Sequence, residues 1–227
     1  MMLLAALLSF VGTHLLLSHP LRPPLVARLG EKGFAGLYSL VAVVTLGWSV
    51  WACRRAPSGL LMWPAPAWAW WAAVPLMLLA SILFIGSVTA PNPALMGAPS
   101  APAGSAPRGV MAITRHPMMW SFAIWAVVHA WVSGDARTVL LCTAIGVLAL
   151  VGARGQDGKK RGQMGEAWRV HERATSFVPF MNQLRGRAAI GTLYPGAVAT
   201  LGGVLLFVVA TWAHPYLGGP LLPFWSF

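Results

Sequence analysis

The stretch RTVLLCTAIGVLALVGAR, residues 137–154, carries no charged side chain between its two flanking arginines. At 1.5 Å per residue it covers most of the roughly 30 Å of a bilayer's hydrocarbon, so it reads as a membrane-crossing helix. Comparable apolar stretches lie near residues 1–19, 33–53, 65–89, 116–133 and 193–213. The fold class they imply is an all-α integral membrane protein, one domain over residues 1–227 with about six transmembrane helices. Composition agrees, since 57% hydrophobic and 9% charged residues with a mean hydropathy of +0.68 lie outside the balance of a water-soluble domain. The 12 Trp suit interfacial anchors and the 24 Gly suit close helix approach. The chain is apolar from Met1, without a basic leader or small-residue cleavage site, so the first stretch is expected to remain a helix.

A net charge of +11 raises nucleic acid as a partner, but 8 of the 16 basic residues fall in the single segment 154–187. The charge therefore reads as topology, and membrane lipid rather than nucleic acid is the expected partner. Taking the connections alternately, 13 basic residues fall in the first, third and fifth and 3 in the other two. That bias puts the first, third and fifth on the cytoplasmic side, with 154–187 as a basic cytoplasmic loop and both termini outside. The Pro-, Ala-, Gly- and Ser-rich segment 91–109 reads as a flexible connection. Within 163–174, Met164, Ala167, Trp168 and His171 recur at helical spacing, predicting a short helix on the inner surface, placed to cover a site. Pro75 and Pro195 are expected to kink the third and last spans.

Ionisable groups inside spans are costly, and His14 and His129 are such groups. A neutral imidazole bonded across helices explains each, and so does ligation of a metal or haem, for which His is the common axial ligand. His14 lies about 12 Å outward of Arg22 and His129 about 20 Å outward of Arg115, an offset that tilted helices could bring to one iron. The run Thr114-Arg115-His116-Pro117 opens the fourth span with Pro at the first helical position. Its free backbone donors beside Arg115 form an anion site suited to a propionate, phosphate or carboxylate, or a capped helix start with an interfacial anchor. Met118, Phe122, Trp125 and His129 share a stripe that either lines a flat cofactor or packs helices. Cys53 and Cys142 both fall near outer span ends, and the sequence carries no Walker motif, nucleophile elbow or HExxH.

Gly12-Thr13-His14 with Leu21-Arg22, Gly36-Leu37-Tyr38-Ser39-Leu40, Ile113-Thr114-Arg115-His116-Pro117, Trp125-Ala126-Val127-Val128-His129, Gly165-Glu166-Ala167-Trp168 and Thr175-Ser176-Phe177-Val178-Pro179 together resemble the NnrU family over nearly the whole chain. The resemblance implies a multi-pass protein of the bacterial inner membrane, termini periplasmic, associated with nitrite and nitric oxide reduction in denitrification. That family is similar to zeta-carotene isomerase, a haem b enzyme with two axial His, which by motif fall here on His14 and His129. Arg22, Arg115 and His116 would then stand near the propionate end, and a redox-linked isomerase activity is implied. A more distant similarity, through Arg115-His116-Pro117, runs to isoprenylcysteine and phospholipid methyltransferases and implies S-adenosylmethionine as the alternative cofactor. A third expectation is a non-enzymatic assembly subunit whose basic segment meets respiratory reductase components.

Overall fold

The computed structural model describes residues 1–57, 60–95, 106–217 and 219, so most of the segment 91–109 lies outside the described residues. Those residues form nine α-helices and a 3-10 turn, and no strand beyond an isolated bridge between Leu61 and Asp135. Helix α1 (Met2–Ser18) turns at His19 into α2 (Arg22–Arg55), whose first turn holds Pro23 and Pro24, where a missing backbone N–H costs nothing. Gly30, at φ 69° and ψ 169°, interrupts α2, and the Arg22–Glu31 ion pair at 2.7 Å closes across that break. Helix α3 (Ala67–Thr89) passes Pro75 without a break. The short α4 (Val110–Ile113) leads into α5 (Pro117–Ser133), and α6 (Ala136–Met164) starts at Asp135, whose carboxylate accepts from the backbone N–H of Arg137 and Thr138. Then come α7 (Glu166–Ala174), α8 (Met181–Leu184), the 3-10 turn Ile190–Leu193 and α9 (Ala197–Ala213).

The long helices pack in the spatial order α9, α3, α5, α6, α1, α2, each against the next. Small residues let them approach. A methyl group built on Gly203 of α9 would come within 2.6 Å of the Ile82 side chain and 2.7 Å of its backbone on α3, so this crossing tolerates only glycine. The outward faces are apolar: Leu40, Val43, Val44 and Trp51 on α2, and Val198, Leu201, Leu205 and Trp212 on α9, are all exposed. An apolar surface on this scale requires lipid around it.

Three helices, α2, α3 and α6, are long and apolar enough to cross a membrane. Helices α1, α5 and α9 have 17 residues each, about 26 Å at 1.5 Å per residue, slightly less than the hydrocarbon thickness. Two expectations require correction. The short helix expected within 163–174 is α7, but the basic segment 154–187 holds more helix than that, because α6 continues to Met164 and α8 follows α7. Arg, Lys and Gln are good helix formers, so the helix outlasts its apolar stretch. Pro195 lies before α9 rather than within it, and kinks nothing.

Candidate functional site

Between α1, α2, α5 and α6 lies a cavity of about 520 Å³, within the range of small-molecule sites. Each helix contributes a stripe at three- to four-residue spacing: Phe10, His14 and Ser18 from α1; Tyr38, Ala42 and Leu46 from α2; Met119, Phe122 and Trp125 from α5; Ile145, Leu148, Ala149, Gly152, Gln156 and Lys159 from α6. The α6 stripe alone covers 14 residue steps, about 21 Å of depth. One end is aromatic and aliphatic. The other, where α1 ends and α6 turns basic, is polar, with Ser18, His19, Gln156 and Lys159. His19 rests against Gly155, where a Cβ would meet its ring.

His14 projects into this cavity. Its Nδ1–H donates to the Phe10 carbonyl one turn earlier at 2.7 Å, and because a carbonyl only accepts, Nε2 is left as the lone-pair nitrogen. Phe10 and Tyr38 flank the ring edge-on at 4.6 and 5.4 Å, and the Tyr38 hydroxyl accepts from Ser18. His129 repeats the pattern on α5, with Nδ1–H donating to the Trp125 carbonyl at 2.9 Å. It does not itself line the cavity. Its ring stacks on Trp125 at 4.1 Å, one ring behind the wall, and the His214 ring stands 6.0 Å away. The structure therefore does not bring His14 and His129 into contact, although Trp125 links the second to the cavity of the first. The cavity-lining methionine of α5 is Met119 rather than Met118.

Arg115 and His116 form a second site, at the start of α5. Both converge on Asp157 of α6, a carboxylate 41 to 42 residues away in sequence. Arg115 donates from Nε at 3.0 and 3.1 Å and from a terminal nitrogen at 2.7 Å, and His116 donates from Nε2 at 2.7 Å. His116 is 2% exposed and Asp157 4%, so the three form a buried clamp between α5 and α6. Phe177 lies under the guanidinium groups of both Arg115 and Arg154, at 5.4 and 5.5 Å, and the wholly buried Trp168 of α7 roofs the His116 ring. Glu172 pairs with Arg161 through two bonds of 2.8 Å, fastening α7 to the end of α6. On α7 the inward face runs through the buried Trp168 and the half-buried His171 as the spacing predicts, whereas Ala167 is exposed. Burial, then the charges of Arg115 and His116, push His171 down to about 4. Arg22 joins neither site directly, since it holds Glu31 and lies over the Phe34 ring at 5.3 Å.

Sequence reasoning missed Asp157, Lys159 and Tyr38. Asp157 carried a signal, as the one acid in the basic run from Arg154 to Arg161. Among the described residues no group of three or more His, Cys, Asp or Glu could hold a metal ion, and in a porphyrin-type group the protein supplies only axial ligands. For such a group the cavity fits on three counts: an apolar wall, a histidine with the correct free nitrogen, and a basic mouth.

A model of the family described as NnrU protein matches residues 2–221. Two curated relatives are the chloroplastic 15-cis-zeta-carotene isomerases of Zea mays, 31% identical over 115 residues, and of Arabidopsis thaliana, 31% identical over 117 residues. These alignments take in 48% and 49% of this chain but 31% of each relative, so the chain spans about a third of the length of the curated relatives it matches. No solved structure matches it.

Proposed function

The chain belongs to the NnrU protein family, and from that premise we propose that it is a haem b-binding protein of the bacterial inner membrane, acting as a redox-linked isomerase on a long apolar substrate in cells that reduce nitrite and nitric oxide. The observation that carries this reading is His14, whose Nε2 is freed toward an apolar cavity of about 520 Å³ by the bond from Nδ1–H to the Phe10 carbonyl. Bound there, haem would supply reversible one-electron chemistry at iron beside the lipid phase. His14 would hold the group through Nε2, and Phe10 and Tyr38 keep the His14 ring in place. His129, in the same tautomer but behind Trp125 rather than on the cavity wall, would be a second histidine to hold the group. Tyr38 and Phe122 line the cavity, whose apolar wall suits a long apolar substrate. The relatives' name supports double-bond isomerisation as the reaction class. The basic residues near α6's end and the α1–α2 turn support a cytoplasmic placement of that end, with six spans and both termini periplasmic.

The test is an absorption spectrum of the detergent-purified protein after haem supplementation. A Soret band at about one haem per chain is expected, lost in His14→Ala and shifted or weakened in His129→Ala. No band on folded protein, or an unchanged band in both variants, overturns the reading. Calorimetric binding of S-adenosylmethionine by the same preparation would move it to methyl transfer.

A further inference from the structure

The mouth of the cavity holds a charge that the protein leaves uncompensated. Lys159 lines the cavity as the last residue of the α6 stripe, one turn beyond Gln156 and two beyond Gly152. Among the described residues no hydrogen bond or ion pair holds its Nζ. Its neighbours are accounted for: Arg22 is bound to Glu31 at 2.7 Å, and Lys160 donates to the Leu95 carbonyl at 3.2 Å. Arg22 and Lys160 add like charge around Lys159, and Glu31, the carboxylate whose field reaches it, is already engaged by Arg22. A half-buried ammonium with like-charged neighbours is costly, and an anion supplied from outside offsets that cost. Arg115 and His116, the other basic groups at this end of α5, are unavailable because Asp157 holds both.

We propose that Lys159 anchors the carboxylate of the cavity's ligand, so that the site selects molecules with a long or flat apolar body and an acidic end near the cytoplasmic surface. The proposal rests on the reading of this cavity as a ligand site, and it deepens that reading by naming the acidic end as what is recognised. Ser18, His19 and Gln156 surround the same end and supply secondary polar contacts. The apolar wall from Phe10 to Leu46 takes the body. Two sources share this chemistry, the propionates of a porphyrin and the carboxylate of a fatty acid.

Two matched probe pairs separate the possibilities on the detergent-purified full chain: haem b against its dimethyl ester, followed by the Soret band, and cis-parinaric acid against its methyl ester, followed by fluorescence. At least one acid is expected to bind about 10-fold or more tightly than its ester, as a charge-assisted pair in a partly dry site implies. Lys159→Gln should abolish that preference while leaving ester affinity unchanged, and Lys159→Arg should keep most of it. Unfolding temperatures of both variants control for folding. Equal binding of acid and ester to the wild-type protein in both pairs, or a preference that survives Lys159→Gln, overturns the anchor. If both haem forms bind equally and parinaric acid binds no better than its ester, the haem reading stands and the anchor falls. If neither haem form binds but parinaric acid binds in a Lys159-dependent way, the anchor stands and the haem reading falls.

Discussion

His14 and His116 stand toward the same end of the molecule, each on a helix packed against α6, and the two sites use their imidazoles in opposite ways. His14 satisfies one ring nitrogen on its own helix and turns the other toward open volume. His116 spends its Nε2 on Asp157 and is enclosed by Trp168 and Phe177. An open cavity of about 470 Å³ beside the clamp is lined by Arg115, Arg161, Arg169, Glu172 and Arg173, whereas the cavity at His14 is apolar with charge only at its rim. Charge therefore builds the fold here, tying α5 to α6 and α7, while the apolar stripes of α1, α2, α5 and α6 leave room for a ligand. A motif as conspicuous as Arg115-His116-Pro117 serves position before chemistry, because Asp157 engages both Arg115 and His116 Nε2, while His116 Nδ1 stays buried without a partner.

The sharpest way to break this comparison is to remove that carboxylate. Asp157→Ala removes the carboxylate that holds both Arg115 and His116 and leaves Arg115 only the longer 3.9 Å contact to Glu172, and breaking a buried pair costs on the order of 3–5 kcal/mol. The thermal unfolding temperature in detergent should fall by several degrees, with α7 the first segment cut by protease. A variant as stable as the wild type would show that the clamp is not structural. The complementary change fills the cavity. A Cβ on Gly152 meets nothing within 4 Å, so Gly152→Phe can enter the open volume without displacing its own helix. Haem or parinaric acid binding should drop by about 10-fold or more, the loss of a few kcal/mol of burial, while unfolding stays near that of the wild type. An effect on stability as large as that of Asp157→Ala would mean the two regions are one.

Much of the scaffold was legible because hydrophobic stretches and proline positions act locally: Pro117 opens α5, and the spacing of Trp168 and His171 marks the inner face of α7. The clamp was not, since Arg115 and Asp157 meet only once α5 and α6 pack, and composition does not say which of several basic residues an acid will choose. His14 was legible as a suspect by its cost in lipid, but the tautomer that makes it a usable ligand depends on the Phe10 carbonyl of the folded turn. Lys159 was hidden in a basic run that reads as a topology signal, and only the α6 continuation to Met164 carries it to the cavity mouth.

A smaller effect follows from pH. His171 has its pKa lowered to about 4 from 6.5, by burial first and then by Arg115 and His116, with Asp157 and Glu172 opposing. Above about pH 6.5 the histidine is neutral in folded and unfolded chain alike, and the α7 roof keeps its full stability. As pH falls from 6.5 toward 4 the unfolded chain takes up a proton that the folded chain refuses, so stability declines across that window. Proteolysis within α7 should therefore accelerate between pH 6.5 and 4, and His171→Phe should flatten the dependence relative to the wild type. A slope identical in both proteins would place the titration elsewhere.

The smallest effect belongs to the outer face of the same helix. Glu166 pairs with Arg173 and, at 3.5 Å, with Arg169, all three side chains more than half exposed. Exposed pairs gain little because water screens them and ordering two long side chains offsets the attraction. Glu166→Gln should leave unfolding temperature, ligand affinity and the pH profile unchanged within error. The contrast with Asp157→Ala is then between two acids within nine residues of each other, one buried under Trp168 and one in water. If Glu166→Gln instead weakened binding in the cavity, the charge network of α7 would reach the ligand site, and the separation of clamp from cavity would have to be abandoned.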